Sequence, residues 1–139
     1  MLGAKELIGS FKEKGIVTIL ASGSIEPVLE HYKRLLNIDY IIGSRPQIED
    51  GIIQGISEND YSHSDFKLFE TKKILKRLSI KACETLAIGD SPGDKSRFMF
   101  AGRSIAINPK GDISKFSDHV IFGDLRHAIP IINKILETN

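Results

Sequence analysis

The 139 residues contain no tryptophan, two methionines and one cysteine. A lone Cys83 closes no internal disulfide, and no Cys/His group has the spacing of a zinc site, so an apolar core in a reducing compartment has to hold the fold. Cys83 itself reads as a small apolar residue buried just before a strand, not as a catalytic thiol. Long hydrophobic runs are missing too, which argues against a membrane span or a signal peptide and for a cytoplasmic location. Charge of one sign is not in excess: 19 Lys and Arg stand against 18 Asp and Glu, for a net charge of +1. That balance does not predict a nucleic-acid or anionic-membrane partner, which would need a concentrated basic face. Internal repeats and low-complexity stretches are also absent. What remains, 41% hydrophobic and 27% charged residues, is the composition of an ordinary globular chain, and the length predicts one domain over residues 1–139.

The apolar pattern alternates between helix and strand. Ala4, Leu7, Ile8 and Phe11 recur at helical spacing, and Gly15 supplies a stop. Residues 16–21 (IVTILA) form an unbroken β-favouring run that predicts a strand buried on both faces, ending at Ser22-Gly23-Ser24. Pro27 suits the first turn of a second helix, with Val28, Leu29, Tyr32, Leu35 and Leu36 as its buried face. A strand from Tyr40 to Gly43 follows. Asp50-Gly51, flanked by Ile48, Ile52, Ile53 and Ile56, predicts a β-hairpin flap. Residues 65–78 regain helical spacing, with Leu68, Leu75 and Leu78 inward and Lys72, Lys73, Lys76 and Arg77 on a solvated face. Further strands are expected at 86–89, 104–107 and 119–122, a short helix ends near Ala101-Gly102, and a helix over 125–136 closes the chain. Strands alternating with helices predict an α/β fold, a three-layer, doubly wound and mostly parallel sheet.

Three polar points fall at strand or helix ends, where such sheets place ligands. Residues 86–94, LAIGDSPGD, put Asp90 at the carboxyl end of a strand and Asp94 four positions on, at a helix start. Two carboxylates so spaced can serve a hard cation such as Mg²⁺, which takes one or two carboxylates, water and phosphate oxygens. They also suit the capping of the helix that follows. Ser22, with the N–H groups of Gly23 and Ser24, makes a nest for a phosphate. Lys67, 23 positions before Asp90, begins a helix and offers the same phosphate a positive charge. None of His31, His63, His119 and His127 sits at a strand end with an evident partner, so they read as ordinary surface or core residues.

The order strand–Ser22-Gly23, then Lys67, then strand–Gly89-Asp90-x-x-x-Asp94 resembles the haloacid dehalogenase superfamily of phosphohydrolases, most closely its phosphoserine phosphatase-like branch. Asp39 to Gly51 with its hairpin, Ala101-Gly102 and Asp118-His119 are also similar. The resemblance implies a Mg²⁺-dependent phosphomonoesterase acting on a phosphorylated small molecule. It implies that Ser22 and Gly23 bind phosphate and that Lys67 neutralises its charge, with Ser22 and Lys67 serving the catalytic step. Asp90 would bind the metal, with Asp94 supporting it. Where many relatives carry Asn, this chain has Gly93.

A larger departure is that no Asp-x-Asp occurs in the sequence. In the superfamily that motif follows the first strand and supplies the nucleophile and the acid. The nearest acidic pair, between Asp60 and Asp65, follows no apolar run and reads as loop. The resemblance therefore implies a core without its first strand, which normally lies centrally between the strands ending in Ser22 and Asp90. Either those two strands pair directly, or a strand from another chain or a second copy enters between them. Three functional expectations follow: a phosphatase completed by a separate segment, a non-catalytic phosphate- or partner-binding module, and a truncated remnant. In all three, isolated Asp90 and Asp94 are expected to hold Mg²⁺ weakly.

Overall fold

A computed structural model describes residues 2–56 and 65–138. The expected loop at 60–65 therefore lies, Asp65 apart, outside the described residues, as does His63. Helix α1 (Ala4–Glu13) buries Leu7 and Phe11, one turn apart on its inner face, and gives way to Gly15 at φ 69°. Strand β1 (Ile19–Ile25) begins three residues later than the apolar run that predicts it. The reason is its neighbour: β2 (Tyr40–Ser44) starts at Tyr40, so Ile16 and Val17 have no strand opposite, and Val17 is exposed. Helix α2 (Glu26–Leu36), with Pro27 in its first turn, connects the two as a parallel crossover.

The apolar stripe of α2 is not the buried face that its spacing predicts. Leu29 is buried, Leu36 is half-buried, and Val28, Tyr32 and Leu35 are exposed. The stripe is broader than the two-stranded sheet on which the helix packs. Strands β3 (Pro46–Glu49) and β4 (Ile52–Ile56) form the expected antiparallel hairpin around Asp50-Gly51, both at positive φ.

Helix α3 (Phe66–Leu78) buries Ile74 and Leu75 and packs on β1 and β2. Strand β5 (Leu86–Gly89) leads through a turn of 3₁₀ helix at Pro92–Asp94 into α4 (Lys95–Phe100). Strands β6 (Arg103–Ile107) and β7 (His119–Ile121) complete a parallel sheet in the order β5-β6-β7, and α5 (Ala128–Glu137) closes the chain. The period-2 alternation of β6 assigns its layers. Ile105 and Ile107 pack with α1, β7 and α5, while Ala106 packs with Phe98 of α4 and Ile113 on the other face. Helices thus cover both faces of this sheet, as the α/β expectation requires.

The two parallel sheets are not joined by hydrogen bonds among the described residues: β1 pairs with β2 and β5 with β6. Direct pairing of β1 with β5, one of the two expected ways of closing the sheet, is not found. Cys83 departs from expectation as well, lying exposed in a 3₁₀ turn before β5. No described helix is long and apolar enough to cross a membrane.

Candidate functional site

The Gly-Asp-x-x-x-Asp loop is built around one inward-turned carboxylate. Asp94 Oδ2 accepts the N–H groups of Asp90 at 2.9 Å and Ser91 at 3.1 Å, tying the turn to the start of its helix. Its other oxygen, Oδ1, pairs with the Arg97 guanidinium three residues along. That carboxylate lies where a side chain at position 89 would be: a Cβ on Gly89 would fall 2.4 Å from Asp94 Oδ2. Glycine is required there by close approach, not by an unusual dihedral.

The two acids of the loop consequently face different ways. The Asp94 side chain is 9% exposed and that of Asp90 is 39% exposed, so Asp90 alone presents its oxygens to solvent at the end of β5. No group of three or more His, Cys, Asp or Glu side chains placed to hold a metal occurs among the described residues. The open donor set is one carboxylate, with a second bracing it from behind. That set fits a hard cation which keeps most of its water and takes further oxygens from a substrate, and it fits poorly a cation held by protein alone.

Lys67, in the first turn of α3, belongs to the same cluster. Burial holds its ammonium below the usual lysine range, and the nearby Arg97 guanidinium pushes the same way, while Asp90 pulls it back up. Burial likewise lowers the proton affinity of Arg97, which nonetheless stays a cation. Lys67, Arg97, Asp90 and Asp94 thus form one charged group between the start of α3 and the end of β5.

No hydrogen bond or ion pair links Ser22 or Gly23 to that cluster among the described residues; their bonds are local. They sit in a bulge of β1: Ala21 is opposite Ile42 and Ile25 opposite Ser44, so β1 spends two more residues than β2 between those pairs. Ser44 Oγ donates to Gly23 O at 2.9 Å, and Ser24 N–H donates to Ser22 Oγ at 3.1 Å. One of the two N–H groups expected in the nest is therefore already bonded within it. A Cβ on Gly23 would meet nothing within 4 Å, so the space beside it is open.

Two residues of the cluster escape the sequence reading. Arg97 had a signal, since Asp94 and Arg97 are spaced i, i+3 on a helix start, where opposite charges meet. Lys110 had none: its Nζ lies 3.5 Å from Asp90 Oδ2 across a loop remote in sequence.

The profile of the haloacid dehalogenase-like hydrolases matches residues 1–96. Among curated relatives, the chain is 31% identical over 131 residues to the phosphoserine phosphatase of Methanocaldococcus jannaschii, covering 94% of this chain and 62% of the relative. It is 28% identical over 134 residues to the phosphoserine phosphatase of Haemophilus influenzae, covering 96% of this chain and 43% of the relative. A solved phosphoserine phosphatase in its apo form superposes with a TM-score of 0.85 at 31% identity, over 93% of this chain and 65% of that one. A phospho-aspartyl intermediate analogue of a phosphoserine phosphatase gives 0.84 at 30% identity, over 94% and 63%. The chain thus spans between about two fifths and two thirds of the length of these proteins. With its sheet order, its Gly-Asp-x-x-x-Asp loop and these likenesses together, the chain belongs to the haloacid dehalogenase-like hydrolases, among the relatives of phosphoserine phosphatase.

Proposed function

We propose that these residues are the phosphate- and cation-binding part of a Mg²⁺-dependent phosphomonoesterase, with a small phosphorylated molecule, phosphoserine first among them, as substrate. The observation that carries this reading is the charged cluster at the end of β5. Lys67 and Arg97 supply partly buried positive charge, Asp90 opens to solvent, and Asp94 fixes the backbone beneath it. Ser22 and the open space at Gly23 contribute the hydroxyl and backbone side of the phosphate site. Lys67 gives a phosphoryl group a partly desolvated cation, where charge acts more strongly than in water. Asp90 is the residue that would hold Mg²⁺, and Asp94 and Arg97 serve it by keeping Asp90 in place. A bound Mg²⁺ would neutralise phosphoryl charge.

Covalent transfer by the route of the superfamily needs an attacking carboxylate, and no Asp-x-Asp is present in the sequence. Strands β1 and β5 are each paired along one edge only among the described residues, which leaves on each an edge where a parallel strand bringing that motif would pair. The test is hydrolysis of p-nitrophenyl phosphate with Mg²⁺, by the 139-residue chain alone and with a peptide of five apolar residues followed by Asp-x-Asp. Turnover that requires the peptide and is lost in Asp90→Asn supports the reading. Rapid turnover without the peptide would refute the division of labour. A second reading, a phosphate- or partner-binding module without chemistry, is told apart by Asp90→Asn, which would leave its biological role intact.

A further inference from the structure

The segment after β6 is built to hold one lysine against Asp90. Asn108 adopts a left-handed backbone at φ 43°, and its side-chain amide bonds both ways to Gly123, Nδ2 donating to Gly123 O at 3.1 Å and Oδ1 accepting Gly123 N–H at 2.8 Å. Its own N–H donates to Ile121 O at 2.9 Å. At the other end Gly111 has φ 58°, and a Cβ there would fall 2.8 Å from Pro92 Cγ, so the backbone lies flush on the Asp90 loop. Between these fixed points the Lys110 N–H donates to Asp90 O at 2.7 Å, and its Nζ stands 3.5 Å from Asp90 Oδ2.

We infer that Lys110 is a further residue of the site, the counter-ion of Asp90 that a divalent cation has to displace. The inference rests on the proposed reading of Asp90 as the cation ligand. The backbone bond positions Asp90 and does not depend on the side chain. The ammonium is a separate device: 72% exposed, on a flexible stem, it occupies the one open carboxylate of the cluster and can swing away without disturbing the loop. An exposed pair at this distance is weak, so it lowers cation affinity without abolishing it. Lys110 thus sets how much free cation is needed to fill the site.

The probe is manganese(II) alone, titrated into the 139-residue chain at low ionic strength and followed by electron paramagnetic resonance. Lys110→Met should bind it about 2–5-fold more tightly than the parent, the range an exposed ion pair allows, and Lys110→Arg should match the parent. The gain should shrink in ~0.5 M salt as the pair is screened. Asp90→Asn should remove the binding that these variants alter. Unchanged or weaker binding in Lys110→Met, with binding still dependent on Asp90, would overturn the role of Lys110 alone. No Asp90-dependent binding in either parent or Lys110→Met would overturn both it and the reading of Asp90.

Discussion

The two parallel sheets open with the same clasp and end in different surroundings. In the first, Asp39 stands just before β2 and its Oδ2 accepts Thr18 N–H at 2.8 Å and Thr18 Oγ1 at 3.1 Å, while Thr18 Oγ1 accepts Asp39 N–H at 3.1 Å. In the second, Asp118 stands just before β7 and accepts Ser104 N–H at 2.9 Å, while Ser104 Oγ accepts Asp118 N–H at 3.1 Å. Each clasp locks the start of one strand to the start of its parallel neighbour and so sets register. Beyond the clasp the sheets diverge. From Ser104 to Ile107, β6 is wholly buried, with a strand on each side and helices on both faces; β1 and β5 contain no fully buried residue. Ser22 lies in the first of those two strands, and Asp90 directly follows the second. The deepest burial is in β6 and the helices on it, and the candidate residues belong to the less buried strands and their ends.

The largest test of that division is the Asp94–Arg97 pair, which braces the site onto the better-buried sheet. Both side chains are nearly closed to solvent, at 9% and 15%. Arg97→Met leaves a buried carboxylate without its cation and should cost about 3–5 kcal/mol in urea denaturation. The double change with Asp94→Asn should cost less than Arg97→Met alone, because no unpaired charge remains. A loss below ~1 kcal/mol for Arg97→Met would mean the loop is held by its backbone and not by the ion pair.

Next comes a matched pair of truncations. Ile105 is fully buried in β6, whereas Leu20 in β1 is only partly covered. Ile105→Ala should cost about 2–5 kcal/mol, and Leu20→Ala clearly less, because less apolar surface leaves water there on folding. Equal losses would show that β1 is as much part of the core as β6. Addition of the Asp-x-Asp peptide sharpens the comparison further: if a strand enters beside β1, the cost of Leu20→Ala should rise toward that of Ile105→Ala.

Much of this division was legible in the sequence. The alternation of apolar runs identified β2, the hairpin, β5, β6 and β7 to within a residue or so at each end, because each is bounded by glycine, a turn or a polar clasp. Gly89, Asp90 and Asp94 could be seen as one loop because their spacing is local. Less could be read where the outcome depended on a distant neighbour. The start of β1 follows from where β2 begins, not from the run at 16–21. The exposure of Val28, Tyr32 and Leu35 follows from how little sheet lies beneath α2. The contact of Lys110 with Asp90 follows from two left-handed residues that dock one loop on another. The inward turn of Asp94 was hidden in the same way, since spacing places a carboxylate at a loop without saying which way it faces.

The clasps themselves give the smaller tests. Ser104 is buried, so Asp118→Ala removes the acceptor of an N–H that water cannot easily reach, and should cost about 1–3 kcal/mol. A loss under ~0.5 kcal/mol would mean that water replaces the carboxylate.

Asp39 is the subtler case, because its clasp also carries a charge. Burial tends to raise its pKa, but the Lys12 ammonium at 2.5 Å and the Thr18 N–H and hydroxyl outweigh that and hold the carboxyl below the ordinary range. A carboxylate whose folded pKa is depressed contributes stability that is complete above its unfolded pKa of ~3.9 and disappears as pH falls through the folded value. Asp39→Asn keeps an acceptor for Thr18 and loses the attraction to Lys12, which at a partly exposed site is worth no more than ~1 kcal/mol. Parent and variant should therefore differ measurably between pH 5 and 7 and converge as the pH falls through the depressed folded pKa of Asp39, with the difference shrinking as salt is added. A difference that persists in acid would mean that Asp39 acts through hydrogen-bond geometry alone, and the two clasps would then be the same device in energetics as well as in form.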